Sequence, residues 1–414
     1  MYGKIDKRED NYAKIFTLFL NAVLIVDLVR MLINSMTIVN VVQYGIYVGC
    51  AIYIYWQIMF NNRFKIDKSL FGLVCVTVLT AFISYAICPE VEQAYSYYFL
   101  FLLTRIIPAL YLTIYIDKQR LVLTFEYLKK YRLLWLVYAI VGMFWIPLHT
   151  NSWNQYSMTY GYNLLIPACL AFYCFIRYAK IKWLFYGSVF GAFMLLRGSR
   201  ASALCLIVFI ILAYVMIHKE NINIGKLARI IVLFIVGIIV SMNFKNIVSL
   251  LSNIFPSSRT LALLASNINF DSGRSDIQYL YWEAINSHPF RFNGIFSDRI
   301  YYSNLTRSVY DMTNYPHNFI VELFYQWGIP LGIIIFMLIV VGIIKSIWYS
   351  NRIDNAELIC FVLIMFVAGF LKLFFSASYL VSVEFYLLVG IIISICQKKR
   401  LIIEETSYEK STID

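Results

Sequence analysis

The residues best suited to chemistry are arginines and one histidine, placed where the hydrophobic pattern of the chain breaks. Arg197-Gly198-Ser199-Arg200 sets two guanidiniums in four residues, directly before an apolar run. The small Gly198 and Ser199 let an anion approach the backbone, and the N–H groups opening the next helix add positive potential, so the pattern suits a phosphate. Snorkelling arginines that only anchor helix ends would look the same. Arg274 follows Ser272-Gly273 and opens a segment of helical periodicity. A flexible turn, a guanidinium and a helix N-terminus again describe an anion site, with a solvated loop arginine as the alternative. His317 lies in Tyr315-Pro316-His317-Asn318, just before an apolar stretch. Pro316 stiffens the approach, Asn318 can cap the next helix, and an imidazole held there is suited to proton transfer near neutral pH. A structural histidine bonded to backbone is the competing reading. His288, before Pro289, reads as a helix end, and His149 and His218 as structural residues at span ends.

These residues must be positioned by a membrane protein. Of the 414 residues 61% are hydrophobic and only 14% charged, with a mean hydropathy of +0.71. Soluble chains have about a quarter charged residues, so the bilayer is the solvent this composition requires. Apolar runs long enough to cross it fall near 12–33, 38–60, 69–88, 96–116, 132–148, 161–179, 181–197, 201–218, 227–243, 327–348, 357–376 and 378–396. The expected fold is an all-α polytopic membrane protein of about 12 transmembrane helices, with one long extracytoplasmic loop containing short helices. Its organisation reads as spans one to nine over 1–242, the loop over 243–318, spans ten to twelve over 319–397 and a tail over 398–414. The first apolar run continues into further spans, which argues against a cleaved leader. In the loop, Ser257-Ser258 could cap a segment through Ser266, and Asp271 or Ser272 a helix from about Ser275 to Ser287. Ile277, Leu280, Tyr281 and Ala284 share one face of that second helix, as on a helix lying on the membrane surface.

Charge sets the orientation. The N-terminus has Lys4, Lys7, Arg8 and Lys14, and basic residues recur in every second connection, through Arg63, Lys118, Arg177, Lys226 and Lys345 to Lys398. The alternate connections 34–37, 89–95 and 149–160 contain no Lys or Arg. This alternation puts both termini in the cytoplasm and makes the net charge of +12 a topology signal, with no role for nucleic acid. Arg197, Arg200 and the basic residues of the long loop fall on the outer side, against the rule. Long loops translocate regardless of charge, so topology tolerates these residues without explaining them.

Within the spans, ionisable groups mark function by default. Arg105, beside Pro108, is the deepest, and Lys372 and Glu384 sit toward the outer ends of the last two spans. Arg105 and Lys372 could extend a positive cavity toward the outer leaflet; interhelical salt bridging is the plainer reading. Asp27 and Arg30, three apart, can pair with each other. The 8 cysteines include no CxxC and no Cys/His ligand spacing, so neither a disulfide framework, a metal site nor a cofactor is expected. Tyrosines, 33 in all, populate the interfaces and the loop, where aromatic faces also suit sugar rings.

Four segments in order resemble the bacterial O-antigen polymerase and O-antigen ligase family. They are Ser157-Met158 with Gly161-Tyr162-Asn163; Leu196-Arg197-Gly198-Ser199-Arg200-Ala201-Ser202; Ser272-Gly273-Arg274 with Trp282 and His288-Pro289-Phe290; and Tyr315-Pro316-His317-Asn318 with Glu322-Leu323, Gly328-Ile329 and Leu331-Gly332. Arg291 departs from the pattern, which more usually has a small residue or Gly before Gly294. The resemblance implies a GT-C-like membrane glycosyltransferase of the bacterial cytoplasmic membrane, with an outward-facing site. Its donor and acceptor would be polyprenyl-pyrophosphate-linked oligosaccharides, handled without a metal or a nucleotide sugar. It implies that Arg200 and Arg274 bind the pyrophosphate and that His317 helps activate the acceptor hydroxyl. Our local reading adds Arg197, Arg105, Lys372, Tyr315 and Asn318 as substrate-binding candidates. Membrane lipid, a chain-length regulator and a flippase are the expected partners. A ligase passing glycan to a lipid, protein or wall acceptor fits the same motifs. A transporter for polysaccharide or lipid-linked oligosaccharide fits less well, because the charge gathers at the outer face rather than along a path through the spans.

Overall fold

A computed structural model describes residues 6–33, 35–61, 66–145, 158–197, 199–217, 249–250, 274–307, 314–353 and 355–397. Among them, eight helices are long and apolar enough to cross a membrane, as expected of a multi-pass membrane protein. These spans are Lys7–Leu32, Met36–Phe60, Lys68–Ile87, Ala94–Ile114, Met158–Tyr178, Arg200–Ile217, Ile329–Arg352 and Ala356–Phe374. Three further apolar runs appear as shorter helices, Arg132–Phe144, Ile181–Leu196 and Val383–Cys396. The run at 227–243, the segment 257–266 and the tail lie outside the described residues.

Polar caps set several helix starts. Asp6 caps α1 (Lys7–Leu32), and Asp67 caps α3 (Lys68–Ile87), which follows α2 (Met36–Trp56). The fourth span is not one continuous α-helix. A π-helical turn, Leu102–Ile106, separates α4 (Glu92–Phe101) from α5 (Ile107–Ile114), with Pro108 in the first turn of α5. Such a turn carries an extra residue and often marks a functional position; here it carries Arg105. Asp117 caps α6 (Lys118–Lys130), and α7 (Arg132–Ile140) runs on into another π-helical turn, Val141–Trp145.

Around α8 (Met158–Tyr178) pack α9 (Ile181–Leu196) and α10 (Arg200–Ile217), and this group forms much of the core. Gly161 is what lets α8 approach the turn before α10. A Cβ there would overlap Ser199 and stand 2.7 Å from the Ser202 hydroxyl. On the other side of the core, α16 (Val383–Cys396) packs along α5 and α14 (Ile329–Arg352), and α15 (Ala356–Met365) joins α14 and α10.

A small layer sits beside this bundle, made of α11 (Arg274–Ser287), α12 (Ser297–Thr306) and α13 (Phe319–Trp327). It has an apolar centre of its own, in which Tyr281 and Ile285 of α11 bury against Val321 of α13. The face expected to lie on the membrane surface thus packs partly on protein. The expected tenth span also begins differently, because α13 is separated from α14 at Gly328. That residue has φ +73°, and a Cβ there would come within 3.1 Å of the Pro289 and Arg291 carbonyls. Only glycine meets both demands without strain.

Candidate functional site

The end of the layer meets the bundle in a buried charged network. Asp298 and Arg299 lie in the first turn of α12, Glu322 and Gln326 lie one turn apart on α13, and Ser378 comes from the link between the last two spans. Each of these five side chains is essentially removed from solvent. Arg299 Nη1 bonds to Asp298 and lies 2.8 Å from Glu322 Oε1, while Nη2 donates to Ser378 Oγ at 2.6 Å. The Ser378 hydroxyl in turn donates to Glu322 Oε1 at 2.5 Å. Gln326 Nε2 donates to Asp298 Oδ1 at 2.7 Å, and its Oε1 accepts from the Tyr379 hydroxyl at 2.6 Å; that hydroxyl itself accepts from Trp327 Nε1 at 2.8 Å. One guanidinium therefore joins layer and bundle.

Two carboxylates share that one cation. Burial raises the Glu322 pKa to about 7, because the Arg299 attraction is offset by both desolvation and the neighbouring Asp298 charge. Burial likewise raises the pKa of Asp298, against Arg299 and the Gln326 hydrogen bond. For Arg299, burial opposes the cation, but Asp298 and Glu322 outweigh it and hold its pKa above the usual arginine value. Glu322 Oε2 and Arg299 Nε are buried without a hydrogen-bond partner among the described residues. Near neutral pH the network balances its charge by keeping a proton on Glu322 in part of the molecules.

This network supports the His317 turn. The Arg299 guanidinium lies 5.4 Å from the centre of the Tyr315 ring, which is 4.2 Å from the His317 ring. Gln278 of α11 donates to the Pro316 carbonyl at 3.2 Å. Asn318 caps α13, its Oδ1 accepting from Ile320 N at 3.0 Å and Val321 N at 3.4 Å. Beneath it, the Phe319 ring packs against Phe370, Phe374 and Tyr379 of the bundle at 5.6–5.9 Å. His317 itself has φ +53°, a conformation uncommon outside Gly and Asn that costs energy to hold. Contacts along Tyr315 to Phe319 thus fix the turn, and α11, α12 and α13 all contribute.

The other candidates occupy different settings. Arg200 is half-buried and opens α10. Arg197, only 7% exposed, turns inward and donates from Nε at 2.9 Å and Nη2 at 2.6 Å to the Gly142 carbonyl, in the π-helical turn after α7. Both bonds point inward, to the backbone of the preceding helical turn. Arg274 opens α11, but its side chain, with Ser272 and Gly273, lies outside the described residues. Arg105 lies half-buried over two rings, 4.1 Å from Tyr47 and 4.9 Å from Phe101. Lys372 pairs with Glu384 at 3.5 Å and stands 5.2 Å from the Tyr162 ring, so here the plainer ion-pair reading describes the geometry. Asp27 and Arg30 pair at 3.7 Å. No group of three or more His, Cys, Asp or Glu among the described residues could hold a metal.

Comparisons with protein-family models, with curated proteins and with solved structures find no match to this chain. A functional reading of the site must come from its chemistry and from the sequence resemblance. Asp298, Gln326 and Ser378 carry no motif in the sequence, Glu322 enters it only within the Tyr315–Gly332 motif, and Arg299 only as one of several loop cations. A usable signal was present, because Glu322 and Gln326 recur at i, i+4 on an otherwise apolar helix, and buried polar groups on such a face need partners.

Proposed function

We propose that the protein is a polysaccharide polymerase. It would transfer polyprenyl-pyrophosphate-linked oligosaccharide repeat units onto one another at the outer face of the bacterial cytoplasmic membrane, building an O-antigen, capsule or exopolysaccharide. The observation that carries this reading is the Tyr315–Asn318 turn, where a strained histidine is held by the layer while that layer is tied to the membrane bundle. The motif resemblance supplies the substrate class.

In the reaction, an acceptor sugar hydroxyl attacks the anomeric carbon of the donor. The new C–O bond forms as the bond from that carbon to the pyrophosphate oxygen breaks, and polyprenyl pyrophosphate leaves. Charge grows on the leaving group, so arginines aimed at it favour the transition state over the ground state. Arg200 and Arg274, each opening a helix, are assigned that role, since the guanidinium fork matches phosphate oxygens. His317 takes the acceptor proton, a contribution of about 10²–10⁴-fold.

The test uses purified protein in vesicles with polyprenyl-pyrophosphate oligosaccharide alone. A ladder of products supports the polymerase, whereas product formed only after a second acceptor is added identifies a ligase. Arg200→Ala, Arg274→Ala and His317→Ala should each abolish long products while the protein still inserts. Normal ladders from all three variants would overturn the assignment.

A further inference from the structure

Arg105 carries its charge midway along the span Ala94–Ile114. Among the described residues it makes no ion pair and no hydrogen bond; its guanidinium lies over the Tyr47 and Phe101 rings, at 4.1 and 4.9 Å. Phe101 is one turn earlier, so the side chain leans toward the N-terminal end of the span, as helix geometry directs. The charge pattern puts that end on the outer side. The π-helical turn that holds Arg105 is tied to α2, where the Tyr55 hydroxyl donates to the Leu103 carbonyl at 2.6 Å. Glu384, a carboxylate whose charge reaches Tyr47, is committed elsewhere, to Lys372 at 3.5 Å and to the Ser382 hydroxyl at 3.1 Å.

A groove runs beside Arg105 between α2 and α4, lined by Gln43, Tyr44, Tyr97 and Thr104 as well as Tyr47 and Arg105. Its lining holds no carboxylate. Tyr47 is only 3% exposed, and its hydroxyl has no hydrogen-bond partner among the described residues. A guanidinium and a phenol thus line one groove with donors to spare, at a depth where hydrocarbon supplies no water to bond them. The enclosed space is only about 10 Å3, and Tyr44 and Tyr97 are exposed. The groove therefore suits a headgroup lying in its open side with its chains in the bilayer, rather than a soluble ligand enclosed by protein. One guanidinium offers one charge, and the cost of taking an ion out of water rises steeply with its charge. A singly charged phosphodiester fits better than a phosphate monoester or a pyrophosphate.

We propose that Arg105 and Tyr47 bind the phosphodiester of an anionic phospholipid lying between α2 and α4 in the outer leaflet. The site does not rest on the polymerase reading, because α4 meets the start of α12 through other residues, Tyr95 at the Ile295 carbonyl and Tyr98 at the Phe296 ring. The protein in detergent is titrated with short-chain phosphatidylglycerol, short-chain phosphatidylcholine or a short polyprenyl phosphate, and the unfolding temperature is read. Salt at about 0.5 M screens the exposed basic residues far more than a site within the span. Phosphatidylglycerol should raise the unfolding temperature saturably, and phosphatidylcholine should not. Arg105→Gln should abolish that difference. Tyr47→Phe keeps the ring under the guanidinium and should weaken phosphatidylglycerol about tenfold, the loss of one hydrogen bond to a charged group. Tyr47→Phe decides by itself if Arg105→Gln does not insert. Equal stabilisation by phosphatidylcholine, or a preference for phosphatidylglycerol that these variants leave unchanged, overturns the site. Saturation by polyprenyl phosphate at an equal or lower concentration overturns the phospholipid as its occupant.

Discussion

Replacing either partner of the buried Arg299–Glu322 pair should have opposite consequences, and the structure sets the size of each. Arg299→Met leaves Asp298 and Glu322, both with fully buried side chains, without a countercharge. Breaking a buried pair in this way costs about 3–5 kcal/mol. Glu322→Gln keeps the side-chain shape and an acceptor for Ser378, and leaves Arg299 paired one-to-one with Asp298. Its effect depends on pH. Glu322 titrates at about 7 when folded, against an ordinary 4.5. Between those values the folded protein holds a proton that the unfolded chain has released, so stability falls as pH rises through the window and levels off above about 7. The separation corresponds to about 3 kcal/mol, and the raised pKa of Asp298 acts in the same direction. The wild-type unfolding temperature, followed by tryptophan fluorescence in detergent, should therefore decline from about pH 5 to about pH 7, and Glu322→Gln should flatten much of that decline. The reasoning fails if Glu322→Gln keeps the wild-type pH slope, or if Arg299→Met is no more destabilised than Glu322→Gln.

Two further substitutions test the supports of the site. Gly161→Ala places a methyl group against Ser199, so it should cost about 1–3 kcal/mol by overpacking; Gly191→Ala meets only the flexible Leu206 side chain at 3.3 Å and should be milder in the same unfolding assay. Asn318→Ala removes the α13 cap and should cost about 1 kcal/mol, with Asn318→Asp restoring most of it in thermal unfolding.

The eight long apolar helices among the described residues were legible because a bilayer needs such helices, and a hydropathy pattern reports them directly. Where the sequence and the fold diverge, a local backbone feature is responsible. The apolar run at 327–348 starts at Trp327 in the sequence, but the turn at Gly328 ends one helix there and starts another. Arg105 was legible as a charge in an apolar run, whereas the π-helical turn that carries it has no composition signature. The Asn318 cap was legible because capping is local.

The charged network was not legible, for a different reason. Its members are separated by up to 80 positions, between Asp298 and Ser378, and nothing local says which carboxylate will face which cation. The same limit applies to Arg197. On sequence alone it and Arg200 look equivalent, yet only Arg197 meets the Gly142 carbonyl, which belongs to a helix 55 residues earlier.

The two layers of the site should come apart under mutation. Arg299 acts through Tyr315 and Glu322, so its loss removes both the tie to the bundle and the support of the turn. Stability and product length should fall together. His317 stands at the end of that chain of contacts, in a left-handed conformation that most Cβ-bearing residues hold only at a cost. His317→Gly relieves that conformation and removes the imidazole, so it should leave the unfolding free energy within about 1 kcal/mol of wild type while product is lost. If His317→Gly destabilises the protein as much as Arg299→Met, the histidine is one more structural strut and the proton-transfer role falls. A stable protein without product would instead mean that the buried network exists to hold a reactive turn in place.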